Sequence, residues 1–218
     1  MKNKLGCILI LSIVSTLPFA VAAAEPGDAS LTLGMTKITD KALDVLAGTG
    51  VTIDDSDTVT IITAGFYVSP NLALEAAVIT GAEVSASLST GDSGTLYGNT
   101  YSLSGTATVK AESDPSYLWG VKYSSPESGP FSVYGKAGML FWDIDYTADI
   151  NGTITYDGTA YSVSESLGIE SADGSDPYFG FGMSYTLSNN SSLEFDYIAS
   201  EIHDDNMSGY SLSWARNF

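Results

Sequence analysis

The sequence predicts an all-β fold, an eight-stranded antiparallel up-and-down β-barrel that crosses a membrane. Apolar residues alternate with small or polar ones through most of the chain, which is the pattern of strands with two different faces. Short connectors rich in turn formers alternate with long polar connectors, as in membrane barrels with tight turns at one end and loops at the other. The third observation is the stretch GYSLSWARNF, in which Tyr210, Leu212, Trp214 and Phe218 share one face.

The first 24 residues have the composition of a secretory signal peptide. Lys2 and Lys4 precede an apolar run that ends in three alanines at 22–24. A retained membrane helix is the alternative, but a proline interrupts the run. Cleavage after the alanines would remove Cys7, the only cysteine, so the mature chain would fold without disulfides. We therefore expect export, followed by one domain that covers residues 25–218.

The charge balance excludes several classes of partner. The chain has 8 Lys and Arg against 26 Asp and Glu, a net charge of −18, which repels nucleic acid phosphates. No stretch after the amino-terminal run has the 18 or so apolar residues that a membrane helix needs, so any crossing must use strands. The acidic positions lack the spacing of a calcium-binding loop. We expect no nucleic acid partner, no cofactor and no metal site.

Eight strands separated by turn signals account for the alternating pattern. In chain order the predicted strands are 28–37, 57–68, 72–85, 106–124, 131–148, 176–187, 192–202 and 208–218. The short connectors, rich in Pro, Asn, Gly and Ser, are 69–71, 124–130 and 188–191. The long polar connectors, which we predict as loops, are 38–56, 86–105 and 149–175. Residues 39–50 are the one exception, because their spacing predicts one or two helical turns.

The apolar face is predicted to contact lipid. A soluble barrel with its apolar face inward would show the same alternation, so periodicity alone leaves both readings open. An even number of strands, the aromatic carboxyl-terminal strand and a belt of outward aromatic residues near the short turns favour a membrane. The predicted belt is Phe66, Trp119, Tyr123, Phe131, Tyr185, Trp214 and Phe218.

Several stretches resemble the transmembrane domain of the OmpA family. They are GFYVSPNLALEAAV (65–78), VYGKAGMLFWDIDY (133–146), DPYFGFGMSYTLSNNSSLEFDY (176–197) and the terminal YSLSWARNF. The resemblance implies an eight-stranded barrel in the bacterial outer membrane with both termini in the periplasm. The periplasmic peptidoglycan-binding domain of that family has no counterpart in this sequence.

Five charged residues fall on the inward face of the predicted strands: Glu75, Lys122, Lys136, Glu194 and Asp196. The resemblance places Glu75 and Asp196 where the family has lumenal Glu residues and Lys136 where it has a lumenal Arg, whereas Lys122 lies two positions from the family's Lys. A narrow eight-stranded barrel is filled by side chains, and charges in it must pair or stay hydrated. The five residues therefore predict either a satisfied polar core or the lining of a narrow gated ion channel.

The predicted function is structural, with recognition by surface loops in adhesion or colonisation and without catalysis. The expected partners are outer-membrane lipids and lipopolysaccharide, host-surface or phage ligands at the loops, and the barrel-assembly machinery. The assembly signal would be Tyr210, Leu212, Trp214 and Phe218, although Arg216 stands where an aromatic is usual.

An enzyme that modifies lipid A is a further alternative. It rests on His203, the single histidine, within the stretch EIHDDNM. The acidic residues Glu201, Asp204 and Asp205 and the hydroxyl of Ser208 lie close in sequence, but a deacylase-type His-x-Ser arrangement is missing. We therefore expect His203 to lie in a solvated loop.

Overall fold

The computed structural model describes residues 25–40, 51–89, 91, 93–126, 129–202 and 205–218. Its regular secondary structure is entirely β-strand. The strands are β1 (Ala29–Asp40), β2 (Thr52–Asp54), β3 (Ser56–Ser69), β4 (Leu72–Ile79), β5 (Glu83–Ser89), β6 (Ser93–Leu96), β7 (Asn99–Ser113), β8 (Ser116–Ser124), β9 (Phe131–Tyr156), β10 (Thr159–Ser188), β11 (Ser191–Ile202) and β12 (Asp205–Asn217). His203 and most of the predicted helical turn at 39–50 lie outside the described residues.

Eight of these strands close into a ring, which confirms the predicted barrel. In order around the ring they are β1, β3, β4, β8, β9, β10, β11 and β12, and every neighbouring pair is antiparallel. β12 pairs with β1 from Asn217 opposite Ser30 to Met207 opposite Asp40, so the ring has no open edge. The described part of the chain contains no helix long and apolar enough to cross a membrane.

Two of the predicted strands are each divided in two. The predicted strand 72–85 breaks at 80–82 to give β4 and β5, and the predicted strand 106–124 breaks at 114–115 to give β7 and β8. At the first break a Cβ on Gly81 would lie only 2.1 Å from the Ser113 carbonyl oxygen, so the backbone passes too closely for a side chain. At the second break Pro115 has no N–H to donate to a ladder. Both breaks lie at the same level along the barrel axis.

The predicted loops at 86–105 and 149–175 are mostly strand, and the prediction of loops there is wrong. β9 runs for 26 residues and β10 for 30, and the two form one hairpin. Its tip is Asp157-Gly158, where both residues have positive φ (47° and 77°), as a two-residue type I′ turn requires. Tyr97-Gly98 turns β6 into β7 with φ of 51° and 85°. These strands are rich in serine and threonine, so their apolar content is as low as that of a typical loop.

The additional strand length forms an extended sheet beyond one end of the barrel. Its order is β10, β9, β7, β5 and β2, with β6 paired to β7. β1, β11 and β12 do not continue into it, because they begin or end at Asp40, Ile202 and Asp205. We call this the extended end of the barrel, and the opposite end, with the short turns at 70–71 and 189–190, the turn end.

The two faces of the barrel wall differ as the period-two pattern predicts. The outside carries exposed large apolar residues, including all seven of the predicted aromatic belt. The inside near the extended end is filled by a buried apolar cluster around Leu118, Leu140, Trp142, Tyr178 and Ile198. On β10, Phe181 points outward with 66% of its surface exposed, whereas a Cβ on neighbouring Gly182 would lie 2.6 Å from the Tyr134 ring inside.

Substitution of Phe181 tests this assignment of faces. An arginine on the lipid face near the middle of a membrane costs about 2–4 kcal/mol. We expect Phe181→Arg to reduce insertion into lipid vesicles, measured as the fraction of protein that keeps its folded gel mobility without heating. Phe181→Leu is the matched control and should insert like the wild type. Equal insertion of the two variants would mean that this face does not contact hydrocarbon.

Candidate functional site

The five charged residues predicted to face the lumen come from four strands of the barrel wall. Glu75 lies on β4, Lys122 on β8, Lys136 on β9, and Glu194 and Asp196 on β11. Lys122 and Lys136 are directly opposite each other on paired strands, which is unfavourable for like charges. The carboxylates must therefore reach the two ammonium groups across the lumen.

The structure brings these five side chains together in one cluster, which we call the lumenal cluster. Lys122 Nζ lies 2.5 Å from Glu194 Oε1 and 3.9 Å from Glu75 Oε1. Lys136 Nζ lies 3.4 Å from Glu75 Oε2 and 3.2 Å from Asp196 Oδ1. The side chains are 6–11% exposed, so water screens these pairs little. Glu75 bridges the two lysines, and the cluster forms a continuous chain of charges.

Two polar residues that the sequence reading missed complete the lumenal cluster. Tyr134 on β9 donates its hydroxyl to Asp196 Oδ1 at 2.8 Å, and Ser211 on β12 donates to Asp196 Oδ2 at 3.2 Å. The Tyr134 ring also lies under both ammonium groups, with Lys122 Nζ 4.2 Å from its centroid. Both residues have inward parity on their strands, and that parity was the available signal.

The lumenal cluster holds one more negative charge than positive, since two lysines face three carboxylates. Glu194 Oε2 is buried without a hydrogen-bond partner among the described residues. Breaking a buried pair by removing one partner is strongly destabilising, because an uncompensated charge remains. The two lysines therefore stabilise the fold by offsetting three buried carboxylates.

The space around the lumenal cluster is asymmetric. Towards the turn end, Lys122 and Glu194 line a polar cavity of about 490 Å³ together with Tyr67, Asn71 and Tyr134. Beside the cluster and in the apolar layer towards the extended end, the cavities are only about 20 and 40 Å³. Such volumes hold about one water molecule each. The lumenal cluster and the apolar layer together fill this part of the lumen.

The other predicted positions are placed as follows. Tyr210, Leu212, Trp214 and Phe218 are all exposed on the outside of β12, and the Arg216 guanidinium lies 5.3 Å from the Phe218 ring centroid. His203 and Asp204 lie outside the described residues. Among the residues that the structure does describe, no group of three or more His, Cys, Asp or Glu is placed to hold a metal ion.

A closed antiparallel ring with an apolar outside and charged side chains in its lumen is the architecture of outer-membrane β-barrels. The chain belongs to the family of outer membrane protein beta-barrel domains, whose profile matches residues 7–218. The protein is therefore a small barrel of the outer membrane of a Gram-negative bacterium.

Solved structures are similar to this chain at low sequence identity. The outer membrane protein OprG of Pseudomonas aeruginosa superposes with a TM-score of 0.55 at 14% identity, over 91% of this chain and 99% of OprG. Ail, the attachment invasion locus protein of Yersinia pestis, in complex with the heparin analogue sucrose octasulfate, gives 0.49 at 13% identity, over 89% and 100% of the two chains. No curated protein shows significant sequence similarity to this chain.

Removal of Lys136 tests how far the barrel depends on the lumenal cluster. Lys136→Met keeps most of the volume but leaves Glu75 and Asp196 without their shared cation, which should cost roughly 3–5 kcal/mol of unfolding free energy. The matched control is Lys110→Met, which removes the exposed pairs of Lys110 with Glu83 and Glu112 on β5 and β7. Exposed pairs contribute about 0–1 kcal/mol. Urea unfolding in detergent micelles measures both effects.

A second substitution separates charge from packing. Lys136→Met combined with Asp196→Asn restores the original excess of one negative charge, so the double variant should be more stable than Lys136→Met alone. If Lys136→Met and Lys110→Met lose the same stability, or if Asp196→Asn brings no recovery, the cluster does not stabilise the barrel electrostatically.

Proposed function

We propose that this protein is a structural barrel without catalysis or conduction, and that its function is recognition by the extended sheet outside the cell. The observation that carries this proposal is a free strand edge. Residues 159–177 of β10 pair with β9 on one side, and β11 pairs with β10 only from Tyr178 onward. Within the described part of the chain, no strand occupies the other side.

A free edge of this length favours recognition by strand addition. From residue 159 to 176, the backbone N–H and C=O groups on this side are available to an extended segment of a partner, which then becomes the next strand of the sheet. At Pro177 the carbonyl oxygen already accepts a hydrogen bond from Ser200 Oγ. Most residues along this edge are exposed on both faces. The surface predicted to consist of loops thus supports recognition by backbone hydrogen bonds.

The side chains along the edge indicate which partner it would accept. Glu165, Glu170 and Asp173 are acidic, and residues 157–177 include no lysine or arginine. A second copy of this edge would bring like charges together, which opposes self-pairing. Exposed Leu167 and Tyr161 supply apolar contacts between the acids. These features favour an extended basic segment of a protein on a host or phage surface as the partner.

The orientation of the barrel belongs to the same proposal. Short turns at one end and long segments at the other are the usual arrangement of periplasmic and external ends. The extended sheet then lies outside the cell and both termini lie in the periplasm. Residues 1–24 serve as the signal peptide for export.

The two alternative functions receive less support. An ion channel would require the apolar side chains around Leu140 and Trp142 to leave the lumen, where they are buried. A lipid A-modifying enzyme rests on His203 alone. Lipopolysaccharide and membrane lipids surround the barrel in this proposal, and His203 has no catalytic role.

Assembly of the barrel is proposed to depend on the outward face of β12. Tyr210, Leu212, Trp214 and Phe218 are exposed on the strand that closes the ring against β1, where the barrel-assembly machinery would read them. Deletion of Phe218 removes one residue of this pattern but few ladder bonds. We expect less heat-modifiable barrel in outer membranes and unchanged refolding in detergent.

Arg216→Tyr is the companion variant for assembly. It completes the aromatic pattern at the membrane interface, so its yield in outer membranes should equal or exceed that of the wild type. Equal yields from the wild type and the Phe218 deletion would contradict a role of this pattern in assembly.

Strand addition is tested with a fluorescent peptide of alternating lysine and valine. We expect it to bind the folded barrel in vesicles, and the same peptide with alternate backbone amides methylated to bind at least roughly tenfold more weakly, since each lost hydrogen bond contributes about 1 kcal/mol. The double variant Glu165→Lys/Glu170→Lys should also lose binding.

The control for charge is Asp149→Lys, which changes an acid in the middle of the sheet on β9. It should leave binding near the wild-type level. Undiminished binding of the methylated peptide, or an equal loss with Asp149→Lys, would show that the acidic sheet attracts the peptide without adding it as a strand.

A further inference from the structure

Glu194 differs from the other two carboxylates of the lumenal cluster in how its oxygens are used. Asp196 contacts Lys136 through Oδ1, and each of its oxygens accepts a hydrogen bond from a hydroxyl group. Glu75 contacts Lys122 through Oε1 and Lys136 through Oε2. Glu194 contacts Lys122 through Oε1 alone, and its Oε2 is buried without a hydrogen-bond partner among the described residues. One carboxylate oxygen of the cluster is therefore left over.

The charge balance of the lumenal cluster points to the same residue. Two lysines face three carboxylates, so one negative charge has no counterpart within the cluster. The Glu194 side chain is 6% exposed, so bulk water screens its charge little. A bound water molecule could donate to Oε2 but would leave the charge in place, and an uncompensated buried charge is costly. A partner with one positive charge would make the cluster neutral.

The surroundings of Glu194 supply further oxygen atoms. Ser184 on β10 is directly opposite Glu194, and Ser132 on β9 is directly opposite Ser184. All three residues, together with Tyr67, line the polar cavity of about 490 Å³ at the turn end. Hydroxyl oxygens have lone pairs to offer, and hard cations prefer oxygen ligands. The cavity has room for an ion that keeps several water molecules, each of about 30 Å³.

We propose that Glu194 and the hydroxyl groups beside it bind one monovalent alkali cation in this cavity. A divalent ion would leave the cluster with an excess positive charge, and such ions are usually held by more than one carboxylate or by phosphates. The other two carboxylates are already engaged with lysines. Among the residues that the structure describes, no group of three acidic or other metal-binding side chains offers an alternative site.

The shape of the lumen gives this ion one route of access. The cavity lies on the turn-end side of the lumenal cluster, whereas the cavities beside the cluster and in the apolar layer are only about 20 and 40 Å³. The ion therefore enters and leaves at the turn end without crossing the barrel. The site is independent of strand addition at the edge of β10, because it uses only the barrel wall.

The test compares the stability of the folded barrel in two salts. Urea unfolding in detergent micelles is measured in sodium chloride and in tetramethylammonium chloride at the same ionic strength, since methyl groups keep the charge of tetramethylammonium away from a carboxylate oxygen. We expect the folding equilibrium constant to be roughly tenfold higher in sodium, the factor given by a free-ion concentration about nine times its Kd. Equal constants in both salts would mean that a proton or water satisfies Glu194, which would overturn the proposal.

Glu194→Gln locates the sodium effect. This variant removes the excess charge and leaves two lysines against two carboxylates, so its stability should be the same in both salts. The matched control is Glu165→Gln, which removes an exposed carboxylate from the extended sheet and should keep the tenfold response. A sodium response that survives in Glu194→Gln, or disappears in Glu165→Gln, would place the effect elsewhere and overturn the proposal.

Sodium NMR measures binding to the folded protein directly. Exchange with a site in the barrel broadens the sodium signal, and Ser184→Ala, which removes one oxygen beside Glu194, should weaken the sodium affinity roughly fivefold. Ser164→Ala on the same strand, exposed in the extended sheet, should not change it. This pair decides the matter even if Glu194→Gln does not fold. Equal affinities of the two serine variants would overturn the proposal.

Discussion

Closure of the hydrogen-bonded ring is the constraint on which the rest of the structure depends. Inside a membrane every backbone N–H and C=O must be satisfied within the protein, so β12 has to pair with β1, as it does from Met207 to Asn217. Eight strands enclose a lumen just wide enough for side chains. That limit explains why Gly182 must lack a side chain beside the Tyr134 ring, and why lysines and carboxylates that face inward are forced within pairing distance.

The requirement for a closed ring applies only within the hydrocarbon layer of the membrane. Beyond the barrel, water satisfies backbone groups, so β1, β11 and β12 stop or start at that height while β9 and β10 continue with one side of β10 unpaired. An edge of this kind is excluded within the membrane and is available for binding above it. The barrel, whose lumen is filled by the lumenal cluster and the apolar layer, then holds one end of that edge in place. The recognition that we propose depends on this edge, which lies where closure of the ring is no longer required.

The sequence predicted the barrel and its faces because a strand period of two is insensitive to small errors in strand bounds. It did not predict the extended sheet, because the low apolar content at 149–175 favours a loop. Asp157-Gly158 between alternating residues was the local signal for a hairpin that this criterion overlooked. The pairing of Lys122 with Glu194 could not be predicted from the sequence, for a different reason. Parity gives the face of a residue, but its height and position around the ring depend on strand register and tilt.

Register also explains how one hairpin serves both the barrel wall and the free edge. In the barrel, Tyr178 and the other even-numbered residues of β10 face inward. A shift of register between Gly168 and Glu170 leaves Ile169 as an extra residue. Such a bulge reverses the parity beyond it, so Tyr161 and Leu167 face the inner side and the serines between them face outward. With an uninterrupted ladder the apolar residues would lie on the outward face and the serines on the inner one. The bulge therefore gives the outer half of β10 the same polar outward face as β9 and turns its apolar residues away from that face.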